Sequence, residues 1–116
     1  WLKPSILFAI LLSGCSTIDY SRPPPPDWPV LQERIVHDFA ATQQCAGAVL
    51  PITIAFGCAW ISFAERTCTI YLSSDAPEVL AHERAHCAGY DHVGESTARD
   101  FWGAFKAWMA GRRVTQ

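Results

Sequence analysis

The stretch that decides how this chain is read runs His82-Glu83-Arg84-Ala85-His86-Cys87-Ala88-Gly89-Tyr90-Asp91-His92. Just upstream, Ser73-Ser74-Asp75-Ala76-Pro77-Glu78 announces a helix. Asp75 is placed to cap its free amides, Pro77 suits the first turn, and Glu78 follows as in a capping box. Residues four apart share a helix face, so His82 and His86 can turn both imidazoles toward one metal ion. Gly89 is expected to end the helix in a left-handed conformation that residues with a Cβ resist. The chain that turns back there presents His92 as a third nitrogen ligand. Three nitrogens with an open fourth position describe a catalytic zinc site, and Glu83 is placed to serve water as general base.

The whole pattern, His-Glu-x-x-His-x-x-Gly-x-x-His, resembles the zinc signature of the metzincin metalloproteases. The resemblance implies a zincin-like domain with Zn2+ held by His82, His86 and His92, and with Glu83 as the catalytic base. It also implies a phenol donating to the oxyanion, for which Tyr90 and Tyr71 are candidates, though either can equally be packing. An edge strand that pairs with extended substrate is implied as well, with residues 67–72 or 49–56 in that role. Arg84 faces away from the histidines and is expected in solvent. Asp91 can orient an imidazole or stabilise the turn. Cys87 points about 100° from its ligand neighbour, so it reads as a disulfide anchor for the helix rather than a ligand.

The other end of the chain carries an address. Lys3 precedes an apolar run from Ile6 to Leu12 that closes on Leu12-Ser13-Gly14-Cys15. That order describes a secretory signal over residues 1–14, too short for the roughly 20 residues of a bilayer span. A first residue other than Met indicates that the n-region extends further upstream. Leu-Ser-Gly-Cys resembles the bacterial lipobox, in which the Cys is acylated and becomes the mature N-terminus. The resemblance implies lipidation at Cys15 and a periplasmic face. Ser16, in place of Asp, points to the outer membrane. Removing Lys3 takes the 9 basic residues to 8 against 11 acidic ones, a net of −3 with His neutral. No basic stripe marks a nucleic-acid partner.

Apart from Cys15, the cysteines are Cys45, Cys58, Cys68 and Cys87. In an exported domain of this size they read as two disulfides, with three connectivities open. Residues 15–29 include four consecutive prolines and read as a polyproline tether, whose stretch 18–29 would hold the domain on the order of 35 Å from its anchor.

The domain proper is expected over residues 30–116, with α+β architecture. Leu31, Ile35, Val36 and Phe39 recur at helical spacing and predict an N-terminal helix over 31–44, with His37 at its surface. Strands are predicted near 49–56, 58–63 and 67–72, with Ala64-Glu65-Arg66 turning between the last two. Pro51 confines the first to an edge or demotes its start. Trp60 and Phe63 read as core aromatics. After the metal-binding helix, Ala98, Phe101, Trp102, Phe105, Trp108 and Met109 form the stripe of a C-terminal amphipathic helix capped by Ser96 or Thr97. That stripe, Met109 included, is expected to pack as core on the sheet or the metal-binding helix, the alternative being a docking face for a partner or membrane.

These readings converge on a zinc-dependent hydrolase, a peptidase, lipid-anchored in the bacterial envelope and acting on protein or on peptidoglycan peptides. The alternative is a zinc-stabilised envelope adaptor without catalysis, which has no need of Glu83.

Overall fold

The computed structural model describes residues 17–111, so the signal segment 1–14 and the lipidation residue Cys15 lie outside the described residues. Among the described residues the elements run β1 (Gln32–His37), α1 (Phe39–Ala46), β2 (Gly57–Ser62), β3 (Thr67–Leu72), α2 (Pro77–Cys87) and α3 (Thr97–Met109). The strands form one mixed sheet in the order β1-β3-β2, with β1 parallel and β2 antiparallel to β3. The α+β class expected from the sequence is therefore present.

The helix expected over 31–44 is divided. Its first half is β1, which pairs with β3 from Gln32 opposite Thr67 to His37 opposite Leu72. Helical spacing of Leu31, Ile35 and Val36 misled here, because β-branched residues sit equally well on a pleated strand. Asp38 marks the true helix start: its carboxylate accepts from Ala41 N at 2.8 Å. α1 then stops at Gly47, which takes φ 66, a conformation that costs a glycine little.

The strand expected at 49–56 is absent. Pro51 lacks the amide that a ladder needs, and the segment folds as turns with a cis Leu50–Pro51 bond. Its return to the sheet is stapled by a side chain: Gln43 Nε2 donates to Ala55 O at 2.7 Å, and Ala55 N donates to Gln43 Oε1 at 2.8 Å. The amide thus replaces the missing ladder bonds of the half-buried Ala55 backbone. The other two strands fall where the sequence put them, to within a residue.

β3 is the centre of the sheet, and Cys68, Ile70 and Leu72 on it are buried. Two disulfides frame it. Cys45–Cys58 ties α1 to β2, and Cys68–Cys87 ties β3 to the last residue of α2. The expectation that a Cys87 disulfide anchors this helix is met, and the open connectivity is resolved.

The chain divides into two compact units, Asp27–Ala88 on one hand and Trp1–Pro26 with Gly89–Gln116 on the other. The first holds the sheet, α1 and α2. In it Phe63 packs edge-on against Trp28 at 5.3 Å. Trp60, expected in the core, is instead 60% exposed on the outer strand β2.

In the second unit, part of the segment read as a tether is docked. Ile18 forms a bridge with His92, Val93 N donates to Thr17 O at 3.0 Å, and Asp19 N donates to Asp91 O at 2.9 Å. Ile18 is buried there. α3 follows with Ser96 at its N-cap, as expected, but Ser96 makes no capping bond; Asp91 Oδ1 accepts from Ala98 N at 2.8 Å instead. The α3 stripe is not core. No residue of α3 is buried among the described residues, and Phe101, Trp108 and Met109 are 65%, 72% and 67% exposed. Periodicity fixes which residues share a face; it does not supply a surface to cover them.

Candidate metal centre

The first two histidines are placed by α2 alone. Pro77 opens the helix, and Glu78 lies in its first turn, where a negative charge suits the dipole. Asp75 does not cap it: Ala76 is the N-cap, and the Asp75 side chain stands in solvent 3.9 Å from His37 Nδ1. Ser74 takes over locally, its hydroxyl accepting from Ala76 N at 3.2 Å. One turn apart on the helix, His82 Nε2 and His86 Nε2 approach to 3.2 Å, with their rings inclined at 77°. A tetrahedral zinc about 2.0–2.1 Å from each of two nitrogens would set them about 3.3 Å apart. The pair already has the spacing of such a site.

The far end of α2 is secured three times. Cys87 is bonded to Cys68. Trp28 Nε1 donates to Cys87 O at 2.9 Å, satisfying a carbonyl that the helix leaves open. Arg84, expected in solvent, grips Glu33 on β1 in a bidentate pair, Nε to Oε1 at 2.7 Å and Nη2 to Oε2 at 3.1 Å. The Arg84 side chain is still half exposed.

Gly89 then takes φ 97, the left-handed conformation expected of it. His92 opens a tight turn closed by Glu95 N donating to His92 O at 3.1 Å, with Gly94 at φ 84 inside it. His92 Nδ1 lies 3.2 Å from Glu95 Oε2. An ionised carboxylate only accepts, so this contact places the ring proton on Nδ1 and leaves Nε2 as the lone-pair nitrogen. Asp91, the candidate for orienting an imidazole, caps α3 instead.

One ligand nitrogen from each of His82, His86 and His92 lies within 4.8 Å of the others, close enough to hold a metal ion. Neutral imidazoles suit zinc, and also copper, iron and nickel.

Glu83 is buried, with Oε1 3.8 Å from His82 Nε2. Its Oε2 has no hydrogen-bond partner among the described residues, a costly state for a buried carboxyl. Burial pushes its pKa up to about 7. Glycine makes this placement possible. A Cβ on Gly57, at the start of β2, would meet Val79 Cγ1 at 2.7 Å and Glu83 Cγ at 3.0 Å.

Tyr90 lies 5.3 Å from the Tyr20 ring, and Tyr71 sits in β3 opposite Cys58 and Val36. Of the strands proposed to pair with substrate, 67–72 is β3, hydrogen-bonded on both sides and so closed to a further partner. The edges are β1 and β2. Trp28, Glu33, Gly57 and Glu95 all support the site and were missed by sequence reasoning. Only Glu95 left a trace, as a carboxylate three residues beyond a ligand.

No protein-family model matches this sequence, and no curated protein or solved structure matches it.

Proposed function

We propose that this chain is a zinc-dependent hydrolase of the zincin type, a peptidase, tethered through an acylated Cys15 to the periplasmic side of the outer membrane. One observation carries the reading. Three histidine nitrogens converge within 4.8 Å beside a buried carboxyl whose Oε2 has no partner among the described residues. A site that served only to hold the fold together would be closed by a fourth ligand and would have no use for such a carboxyl.

His82, His86 and His92 would hold the ion. Zinc there supplies Lewis acidity, polarising a scissile carbonyl and acidifying water. Glu83 does the proton work. Its Oε2 would accept the proton of the attacking water as the new C–O bond forms and then return it to the departing amine as the peptide C–N bond breaks. The free edge of β2 can receive an extended peptide through backbone hydrogen bonds. Unfolded protein and peptidoglycan peptides are the substrate classes.

The adaptor alternative has one observation in its favour. Val49, Leu50, Ile52, Ile54 and Phe56 are exposed together in one segment, and a contiguous apolar patch commonly marks a partner site. Metal counting combined with hydrolysis separates the two. The expected outcome is one zinc per chain in both wild type and Glu83→Gln, with cleavage of unfolded protein or peptidoglycan in wild type alone. Zinc in both proteins with no cleavage by either supports the adaptor. Folded wild type that holds no zinc in chelator-free buffer refutes both. Tyr90→Phe and Tyr71→Phe, assayed beside them, test which phenol supports the reaction.

A further inference from the structure

We propose that α3 is a membrane-surface helix, its aromatic face lying among the headgroups of an anionic lipid bilayer. The inference rests on the lipid-anchor reading of Cys15 and extends it: the chain would meet the membrane at two places in one unit.

The helix has the required surface. Phe101, Phe105 and Trp108 follow at i, i+4 and i+7, with Met109 beside them. The rings run along one face, Trp102 stacked on Phe105 at 5.8 Å and Phe105 beside Trp108 at 6.1 Å. At each end of that face, Phe101 and Trp108 stand well out into solvent. At 13 residues the helix is about 20 Å long, and no described helix is long and apolar enough to cross a membrane. It can therefore only lie in the interfacial plane, where Trp and Phe are most at home.

Charge favours the same occupant. The whole chain is net −2, yet residues 97–113 carry Arg99, Lys106, Arg112 and Arg113 against Asp100 alone. Lys106 lies over the Trp102 ring at 5.6 Å, at the border of the aromatic face. A segment rich in Lys and Arg that also carries an aromatic face is the pattern that anionic headgroups attract.

The path of the chain supplies the third argument. Cys15 is two residues from Thr17, whose carbonyl holds Val93 N, and Ile18 is bridged to His92. Two extended residues reach at most about 7 Å. The described chain that follows Cys15 in sequence is thus tied, at Thr17 and Ile18, to the turn that leads through Ser96 into α3. Arg22 strengthens that tie by donating to Glu95 O at 3.1 Å, and the Arg99 guanidinium donates to Pro23 O. A single lipid chain binds a membrane only marginally, and a second signal makes the attachment stable.

The test uses the full-length protein, purified from host membranes and reconstituted in vesicles of brominated phosphatidylcholine with phosphatidylglycerol. Bromine quenches the tryptophans that reach the acyl boundary, and the mass of the Cys15 peptide reads its acylation. Quenching is expected in wild type, and a clear loss of it in Trp108→Phe, a conservative change at a solvent-exposed position. Phe101→Ser, with Trp108 kept as reporter, should also reduce quenching, and omitting phosphatidylglycerol should weaken it. Acylated Cys15 with Trp108 unquenched overturns the inference and leaves the anchor standing. Unacylated Cys15 with Trp108 still quenched overturns the anchor and supports the helix. If Trp108 is shielded and the protein cross-links as pairs, the face belongs to a second copy and the inference fails.

Discussion

His82 and His86 are held by covalent and bidentate restraints, whereas His92 is held by a turn and a few backbone hydrogen bonds. Helix α2 is locked at its end by Cys68–Cys87, by Trp28 on the Cys87 carbonyl and by the Arg84–Glu33 pair. The third histidine depends on Glu95 N closing its turn, on the Ile18 bridge and on Val93 N bonded to Thr17 O. The difference teaches where a metal site of this kind is strong. Two of the three candidate ligands stand on one locked helix, and the third stands on a turn held by backbone hydrogen bonds.

The sharpest way to break that contrast is to remove the lock. Cys68→Ala with Cys87→Ala deletes a cross-link spanning 19 residues and should cost about 3 kcal/mol of stability, read as a lower denaturation midpoint. Zinc affinity should fall with it. Removing Cys45 and Cys58 together, a 13-residue span, should cost about as much stability and spare zinc. Equal zinc loss in the two variants would show that the lock on α2 has no special part in the site. Next in size is Gly57→Ala, whose methyl would strike Val79 Cγ1 and the Glu83 side chain. Overpacking of this kind costs about 1–3 kcal/mol, and Val79→Ala in the same chain should recover part of it. No recovery in the double variant would mean that the clash is relieved elsewhere.

The same two regions differ in how far they could be read from sequence. α2, its histidine spacing and the left-handed Gly89 were legible because each is a local property of contiguous residues. Asp75 was misassigned because Ser74, one residue earlier, also offers an oxygen to a nearby amide. β1 was misread as helix because Ile35 and Val36 satisfy either period, and only pairing with β3 decides between them. Trp28, Glu33 and Gly57 support the site from 25 or more residues away in sequence, and no local pattern announces such contacts. The stripe of α3 was read correctly as a face and wrongly as core.

Glu95 tests the weaker half of the site. Its carboxylate fixes which nitrogen of His92 carries the proton, and losing such a partner commonly weakens metal affinity about tenfold or more. Glu95→Ala should therefore loosen zinc in a competition titration. Asp91→Ala, which removes the bond to Ala98 N, should cost about 1 kcal/mol in helix stability and leave zinc affinity unchanged. If the two variants behave alike, the turn acts as one structural piece and Glu95 has no separate role.

The smallest effect belongs to the Arg84–Glu33 pair, which is half exposed and so screened by solvent. The Arg84 hydrogen bonds, followed by its charge, hold the Glu33 carboxyl below the ordinary range. A carboxyl with a depressed folded pKa adds stability above its unfolded pKa, about 4.3, and loses it as pH falls through the folded value. Glu33→Gln should thus lower the thermal midpoint slightly near pH 7, and the gap from wild type should close as pH falls through the depressed Glu33 value. Both proteins lose their other carboxylates over the same range, so only the gap between them reports on this pair. A gap that persists undiminished in acid would mean that Glu33 steadies α2 by packing alone, and that the lock on the two-histidine helix owes nothing to charge.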